Sequence, residues 1–314
     1  MALQKSNAAA IKKKAYRQDS IWAFLMILVP LLGFLIFSIY PIIWTFRWAF
    51  YSYNGIPSET RFIGLQNFVR MFTSDFSYWR VWGNTLLFSV MKIPVELPLA
   101  IVLASFLSKK NVKGGSLMRS VYYLPNVISA VVIGLIITCM FTYDGLINTT
   151  LLKMGLISEK IDWFSDRMLA MTMLVIGSIW SSFGINVMYF QAALCNVPED
   201  LYESAELDGA NAWVKFWKIT FPMIMPVFST ILLLSIIGTL STNEYILAVT
   251  NGGPSGGTQT VMSYLTRNFM PGFVESAANP PLGYGCAMCM VTTVLYGVIA
   301  IWYKWFDKKM NNLY

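Results

Sequence analysis

Six long apolar stretches separate the polar segments of this chain. They cover residues 22–46, 84–107, 121–141, 168–194, 223–249 and 283–303. A helix needs about 20 mainly apolar residues to cross a bilayer, and each stretch reaches that length. The only charged residues within them are Lys92, Glu96 and Glu244. This pattern predicts an all-α integral membrane protein with six transmembrane helices.

The polar segments predict the orientation of the chain. Lysine and arginine are more numerous in the N-terminal, second, fourth and C-terminal polar segments than in the segments that alternate with them. Cytoplasmic loops carry an excess of these residues. We therefore expect cytoplasmic tails over residues 1–20 and 307–314. The first apolar stretch is too long for a signal peptide and no small-residue cleavage site follows it, so we expect it to remain as a span.

The composition narrows the class of protein. Hydrophobic residues make up 56% of the chain and charged residues 12%, whereas soluble domains carry about 45–50% apolar and about 25% charged residues. A single soluble core and a disordered chain are both excluded. The absence of histidine excludes Ser-His and Cys-His catalysis. The net charge of +7 is better explained by cytoplasmic loops than by nucleic acid.

The pair Cys286-x-x-Cys289 has the spacing of a redox or metal site. No second pair of ligands accompanies it, and it lies inside an apolar stretch. We interpret these cysteines as inert small residues and predict no metal site.

The segment 196–222 predicts a helix–turn–helix. Pro198 suits a first helical turn, and Gly209 suits the turn that ends this helix. Asn211 can cap a second short helix over residues 212–220, which Pro222 would close before the next span.

This segment also carries a motif. The order Glu203-Ser-Ala-x-x-x-Gly209, nine residues, then Ile219-x-Phe-Pro222 resembles the coupling loop E-A-A-x3-G-x9-I-x-L-P of bacterial ABC importer permeases. Ser204 and Phe221 depart from that pattern by small changes in volume. The resemblance implies the ABC type I importer permease fold, with one six-helix permease domain over residues 21–306. It also implies that coupling to an ATPase uses Glu203, Ser204, Ala205, Gly209, Ile219 and Pro222. The alternative for Glu203 is a solvated helix charge.

Two external segments resemble the maltose-type carbohydrate-uptake branch of that family. Thr250-Asn-Gly-Gly-Pro254 is similar to its T-x-G-G-P turn, and Phe62-Ile-Gly-Leu-Gln-Asn-Phe68 to its F-x-G-L-x-N-[FY] element. The resemblance implies that an extracytoplasmic solute-binding protein docks at the turn formed by Thr250, Asn251, Gly252, Gly253 and Pro254.

The resemblance further implies the other subunits of an ABC importer. The partners are a second, dissimilar permease subunit and two ATP-binding subunits, which hold ATP and Mg. This chain binds no cofactor and is not an enzyme, which agrees with its lack of a G-x-x-x-x-G-K-[ST] loop. The location is the bacterial inner membrane and the solute a sugar or oligosaccharide, with glycerol phosphate or polyamine as the alternative. A membrane enzyme would need clustered acids, and an ion-driven carrier would have no use for the coupling loop.

Polar residues at helical spacing in the fourth and fifth spans are candidates for the solute pathway. They are Ser178, Ser181, Ser182, Asn186, Ser235, Thr239, Thr242, Asn243 and Glu244. The alternative is that they serve only helix packing. Lys92 and Glu96 lie four residues apart in the second span, and we interpret them as an internal pair, a contact with the partner permease or a proton relay. Pro94 and Pro98 should bend that helix.

Overall fold

A computed structural model describes residues 22–108, 114–270 and 280–311. Four predicted features lie outside the described residues: the tail 1–20, the basic residues Lys109, Lys110 and Lys113, the part 271–279 of the predicted external segment, and the last residues 312–314. Within the described part, six helical segments are long and apolar enough to cross a membrane, and the third of them is Ala130–Lys153. The predicted all-α, six-span fold is confirmed.

The described part of the chain contains a series of helices. In chain order they are α1 (Trp22–Trp48), α2 (Gln66–Thr73), α3 (Phe76–Leu107), α4 (Gly115–Val127), α5 (Ala130–Phe141), α6 (Leu146–Lys153), α7 (Arg167–Cys195), α8 (Glu199–Leu207), α9 (Ala212–Leu240), α10 (Glu244–Thr250), α11 (Val261–Phe269) and α12 (Leu282–Asn311). Two short strands, β1 (Tyr51–Ser52) and β2 (Arg61–Phe62), pair antiparallel. The described residues divide into two compact units: Met1–Phe68 with Pro281–Met290, and Val69–Pro280 with Val291–Tyr314.

The first unit contains α1 and the hairpin of β1 and β2. The most apolar window of α1 is not buried inside the protein at all, as expected for a helix whose surroundings are lipid. Asn67 holds the hairpin, because its side-chain amide donates to the carbonyl oxygens of Ala49 and Tyr51 at 2.8 and 3.2 Å. The asparagine of the F-x-G-L-x-N-[FY] element therefore has a structural role in this unit.

The second unit is built around α3 and α7, which run parallel: Arg167 bonds Asn84 towards the start of both helices, and Gln191 bonds Leu107 towards their ends. Asp75 and Asp166 begin these helices by accepting hydrogen bonds from backbone N–H groups of the first turn, the usual N-cap arrangement. Gly184 of α7 lets α4 cross closely, because a Cβ there would lie 2.2 Å from the carbonyl oxygen of Tyr122. Close approach at small residues is a common way to pack membrane helices.

Two apolar cores hold the second unit together. The first joins α3, α5, α7 and α10, and consists of Phe88, Ile133, Ile137, Met171, Leu174, Val175, Tyr245, Ile246 and Val249. The second joins α3, α7 and α9, and consists of Leu97, Ala100, Ile101, Ala104, Leu107, Val187, Phe190 and Ile231. Both α3 and α7 contribute to each core, so the residues between the two cores lie in the middle of these helices.

The helix boundaries differ from the predicted spans at several places, and α12 runs to Asn311 rather than to residue 303. The second span starts at Phe76 rather than residue 84, because Asp75 caps it. The predicted third span 121–141 is broken: α4 ends at Val127, two residues after Pro125, which cannot donate an intrahelical hydrogen bond. The third span is instead Ala130–Lys153, which comprises α5 and α6. The predicted fifth span 223–249 is also broken, since α9 ends at Leu240 and α10 begins at Glu244.

The second half of the predicted helix–turn–helix also differs from expectation. Pro222 does not close a short helix, because α9 runs without interruption from Ala212 into the fifth span. A π-helical stretch, Phe216–Thr220, ends two residues before the proline. This wider turn accommodates a residue that cannot donate the regular hydrogen bond.

Candidate functional site

A cavity of about 710 Å³ lies within the second unit, between α3, α7, α9 and α10. The structure brings all of the predicted pathway residues to its wall: Ser178, Ser181, Ser182, Asn186, Ser235, Thr239, Thr242, Asn243 and Glu244. The two polar sets, which lie on different helices and far apart in sequence, therefore face one space. Whether a solute contacts them stays a prediction.

Four residues of the cavity wall carry polar atoms that have no hydrogen-bond partner within the described part of the chain. They are the hydroxyl oxygens of Thr239 and Tyr245, Oδ1 of Asn243 and Oε2 of Glu96. Each of these atoms is buried. An unpartnered buried polar atom costs about 1–3 kcal/mol, and native proteins keep few of them. Their clustering on residues around one cavity makes this cavity the candidate site for a polar ligand.

Glu96 of α3 fixes the α7 wall of the cavity. Its Oε1 accepts hydrogen bonds from Ser182 Oγ at 2.6 Å and from Asn186 Nδ2 at 2.8 Å. Its Oε2 lies 3.6 Å from Lys92 Nζ. The internal ion pair is therefore present. The sequence did not indicate that the same carboxylate reaches α7.

The break between α9 and α10 lines the cavity through Ser241, Thr242 and Asn243. One backbone carbonyl of the break is hydrogen-bonded by another segment: Thr260 Oγ1 donates to the Thr242 carbonyl oxygen at 3.0 Å. Asn243 Nδ2 donates to Thr266 Oγ1 at 2.8 Å. Irregular backbone at membrane depth is tolerated where it is buried in protein or lines a wet cavity. This break is what turns the polar end of the fifth span towards the cavity.

The predicted coupling residues lie on α8, on the turn after it and on α9. Glu203 and Ser204 are exposed, and Ala205 is half-buried. Gly209 has φ +76° and open space around it. Asn211 caps α9 by accepting from the N–H of Val214 at 2.9 Å. Ile219 and Pro222 are half-buried in α9.

Two side-chain contacts tie α8 to α9. Tyr202 Oη lies 2.9 Å from Thr220 Oγ1, and Lys215 Nζ lies 2.6 Å from Glu206 Oε1. Leu207 is 91% exposed at the end of α8. Helix α8 therefore presents acidic and apolar side chains on a support that is fixed to the fifth span.

The predicted docking turn is largely held by its own hydrogen bonds. Thr250 Oγ1 accepts from the N–H of Gly252 at 3.2 Å and lies 2.8 Å from Thr258 Oγ1. Gly252 is buried, and Gly253 and Pro254 are half-buried. Of the predicted docking residues, Asn251 is the exposed one.

The cavity wall also contains residues that the sequence did not assign to the pathway. The sequence predicts a pair of Lys92 and Glu96 but not their place in the wall, because i, i+4 spacing gives no information about which neighbouring helix they face. Met262, Gly238 and Ser241 complete parts of the wall, and no sequence signal singles them out. In the described part of the chain, no group of three or more acidic, cysteine or histidine residues is placed to hold a metal ion.

Comparison with known proteins places this geometry in a family. Residues 96–312 match the model of the family described as binding-protein-dependent transport system inner membrane component. The match covers more than half of the chain. It includes the coupling segment, the docking turn and the α7, α9 and α10 walls of the cavity.

Similar proteins include two bacterial sugar permeases. The lactose transport system permease protein LacF of Rhizobium radiobacter is 33% identical over 269 residues, covering 84% of this chain and 89% of that protein. The arabinooligosaccharides transport system permease protein AraP of Bacillus subtilis is 34% identical over 274 residues, covering 86% and 83%.

A solved structure shares the fold. A chain of a bacterial ABC transporter involved in the import of the acidic polysaccharide alginate superimposes with a TM-score of 0.79 at 24% identity. The match covers 93% of this chain and 96% of that chain.

Thr239→Val should leave the protein as stable as the wild type or make it more stable, because the deleted hydroxyl has no partner within the described structure. Thr85→Val is the matched control. Thr85 is also fully buried, but its hydroxyl donates to the Val81 carbonyl oxygen at 2.7 Å and accepts from the N–H of Val261 at 3.0 Å. We expect the control to lose about 1–3 kcal/mol of stability. Thermal unfolding of the purified protein in detergent measures both. Equal destabilisation by the two substitutions would show that the Thr239 hydroxyl has a structural partner.

Proposed function

Because the chain belongs to the family of binding-protein-dependent transport system inner membrane components, we propose that it forms half of the translocation pathway of an ATP-driven importer for a sugar or oligosaccharide. An extracytoplasmic binding protein delivers the solute. The other half of the pathway is a second, dissimilar permease subunit. The chain is a transport subunit and a multi-pass protein of the bacterial inner membrane.

The observation that carries this proposal is the convergence of the polar residues of α7, α9 and α10 on one cavity. Membrane helices that only pack together satisfy their hydroxyl and amide groups against each other. Here Thr239 Oγ1 and Asn243 Oδ1 are buried at the cavity without a described partner. A solute that brings its own donors and acceptors would satisfy them.

The chemistry of the cavity supports a sugar as this solute. Its wall offers hydroxyl, amide and phenol groups, which match the many neutral donors and acceptors of a sugar. Its cation, Lys92, lies beside the carboxylate of Glu96, so the wall is not arranged for a free phosphate. The names of the lactose and arabinooligosaccharide permeases, each more than 30% identical over most of the chain, support the same class of solute.

We further propose that α8 docks on one of two ATP-binding subunits, which bind ATP and Mg and hydrolyse the ATP. Glu203 is exposed for a polar contact, Ser204 and Ala205 permit close approach, and Gly209 sets the turn. Ile219 and Pro222 connect this segment to the fifth span. The ties from α8 to α9 supply a direct route from the docking helix to a wall of the cavity.

The orientation that fits this proposal has both termini and segment 196–222 in the cytoplasm. The turn Thr250–Pro254 then lies outside. Asn251 is exposed there for the binding protein, while Thr250, Gly252, Gly253 and Pro254 hold the shape of the turn.

Deletion of the chain from its source bacterium tests the proposed solute. Initial uptake rates of radiolabelled lactose, maltose and arabinotriose are measured with and without a plasmid copy. We expect the deletion to abolish uptake of at least one of these sugars, and the plasmid copy to restore it, because no other subunit supplies this half of the pathway.

Radiolabelled glycerol phosphate and putrescine are the contrast solutes in the same cells. Their uptake should be unchanged by the deletion. Loss confined to glycerol phosphate or putrescine would contradict the sugar assignment, as would unchanged uptake of all three sugars.

Gly209→Val should uncouple ATP hydrolysis from sugar uptake. The residue has φ +76°, a conformation that costs a residue with a Cβ about 1–2 kcal/mol, so the turn between α8 and α9 must change shape. We expect at least a tenfold fall, on the order of what a displaced contact costs, in sugar transported per ATP hydrolysed in proteoliposomes of the complete importer. The amount of assembled complex should not change.

Gly155→Val is the matched control. Gly155 also has positive φ, +66°, and open space around it, but it follows α6 and is remote in sequence from the coupling segment. It carries the same kind of strain and should keep the wild-type ratio of uptake to hydrolysis. Normal uptake by the Gly209→Val importer would refute the coupling role.

A further inference from the structure

Lys92 and Glu96 form an ion pair in the middle of α3. The exposed fractions of the two residues are 6% and 1%. The distance from Lys92 Nζ to Glu96 Oε2 is 3.6 Å, which is longer than a hydrogen bond. Each group therefore keeps hydrogen-bonding capacity that the other does not use.

Only one of the two carboxylate oxygens of Glu96 accepts hydrogen bonds within the described structure. Glu96 Oε1 accepts from Ser182 Oγ and Asn186 Nδ2 and thereby joins α3 to α7. Oε2 of Glu96 accepts no hydrogen bond in the described structure. A neutral glutamine could provide the link to α7, without a charge in a membrane span.

The link from α3 to α7 therefore does not explain why both Lys92 and Glu96 are charged residues in the middle of a membrane span. A buried ion pair often contributes less to stability than an apolar pair of the same volume, and charged residues within spans face a cavity or a partner. Both Lys92 and Glu96 line the cavity that contains Thr239 and Asn243. The two residues of the ion pair thus belong to the wall of the proposed pathway, with Glu96 Oε2 as a buried acceptor that the fold does not use.

We propose that the Lys92–Glu96 pair is a specificity-determining element that binds a neutral vicinal diol of the transported sugar. One hydroxyl group of the diol donates to Glu96 Oε2, and the oxygen of the adjacent hydroxyl accepts from Lys92 Nζ. Both bonds are charge-assisted and therefore stronger than those to serine or threonine. A phosphate would be repelled by Glu96 and by Glu244, which also lines the cavity. This inference rests on the proposed sugar transport.

The double variant Lys92→Met/Glu96→Gln separates this role from a structural one. Glutamine keeps an acceptor for Ser182 and Asn186, methionine keeps the apolar stem of lysine, and no unpaired charge is left behind. The probe is whichever of radiolabelled lactose, maltose or arabinotriose depends on the chain for uptake. We expect the KM for uptake to rise about tenfold or more, since two charge-assisted bonds are lost, while maximal rate and assembly stay at wild-type levels.

Ser89→Ala is the matched control, because Ser89 is a buried polar residue of α3 that is bonded to the Thr85 carbonyl oxygen at 2.8 Å and does not line the cavity. Its KM should be that of the wild type. A wild-type KM in an assembled Lys92→Met/Glu96→Gln importer would overturn the inference, because the pair would then be structural only.

If the double variant fails to assemble, the Lys92→Arg variant tests whether the pair contacts the solute. It keeps the ion pair and the link from α3 to α7 but moves the donor atoms. A raised KM with normal assembly supports contact with the solute, and an unchanged KM overturns it. Thr239→Val distinguishes the proposal that the cavity is the sugar pathway from the proposal that the Lys92–Glu96 pair binds the sugar. If it raises the KM and the charge-pair variants do not, the cavity is the pathway and only this inference fails.

Discussion

The structure depends on one constraint: a polar group inside a membrane span must find a partner in the protein or in a wet cavity. The order of residues along α3 shows how the chain meets it. Phe88 belongs to one apolar core and Leu97 to the other, and Lys92 and Glu96 lie between them. Helix α7 repeats the order, with Ser178 to Asn186 between the two cores. The polar belts of the two helices meet at the same level and are joined by Glu96.

The break in the fifth span follows from the same constraint. Ser241, Thr242 and Asn243 leave the helical conformation, and Thr260 and Thr266 satisfy groups that the break exposes. These two threonines lie directly before α11 and within it. The segment that follows the predicted docking turn is therefore bonded to the wall of the cavity. We propose that docking of a binding protein at the turn Thr250–Pro254 acts on the cavity through the end of α10. Docking of an ATP-binding subunit at α8 acts on it through the start of α9.

The sequence predicted the parts of this arrangement that depend on local pattern. Apolar runs gave the six spans, and helical spacing selected polar residues that all prove to line one cavity. Asn211 was recognised as a cap from its position alone. The breaks at Ile128 and after Leu240 were missed because the surrounding residues are apolar or continue the helical pattern. The break after Leu240 is accompanied by hydrogen bonds with Thr260 and Thr266, which are distant in sequence. The reach of Glu96 to α7 was missed for the same reason, since it depends on which helices are neighbours.

The most direct test of the central claim is a structure of the intact importer with its sugar enclosed, trapped with a non-hydrolysable ATP analogue. The account predicts that sugar oxygens lie at hydrogen-bond distance, about 2.7–3.2 Å, from Thr239 Oγ1 and Asn243 Oδ1. A sugar enclosed elsewhere, with these two atoms facing lipid or bonded to the partner permease, would contradict it.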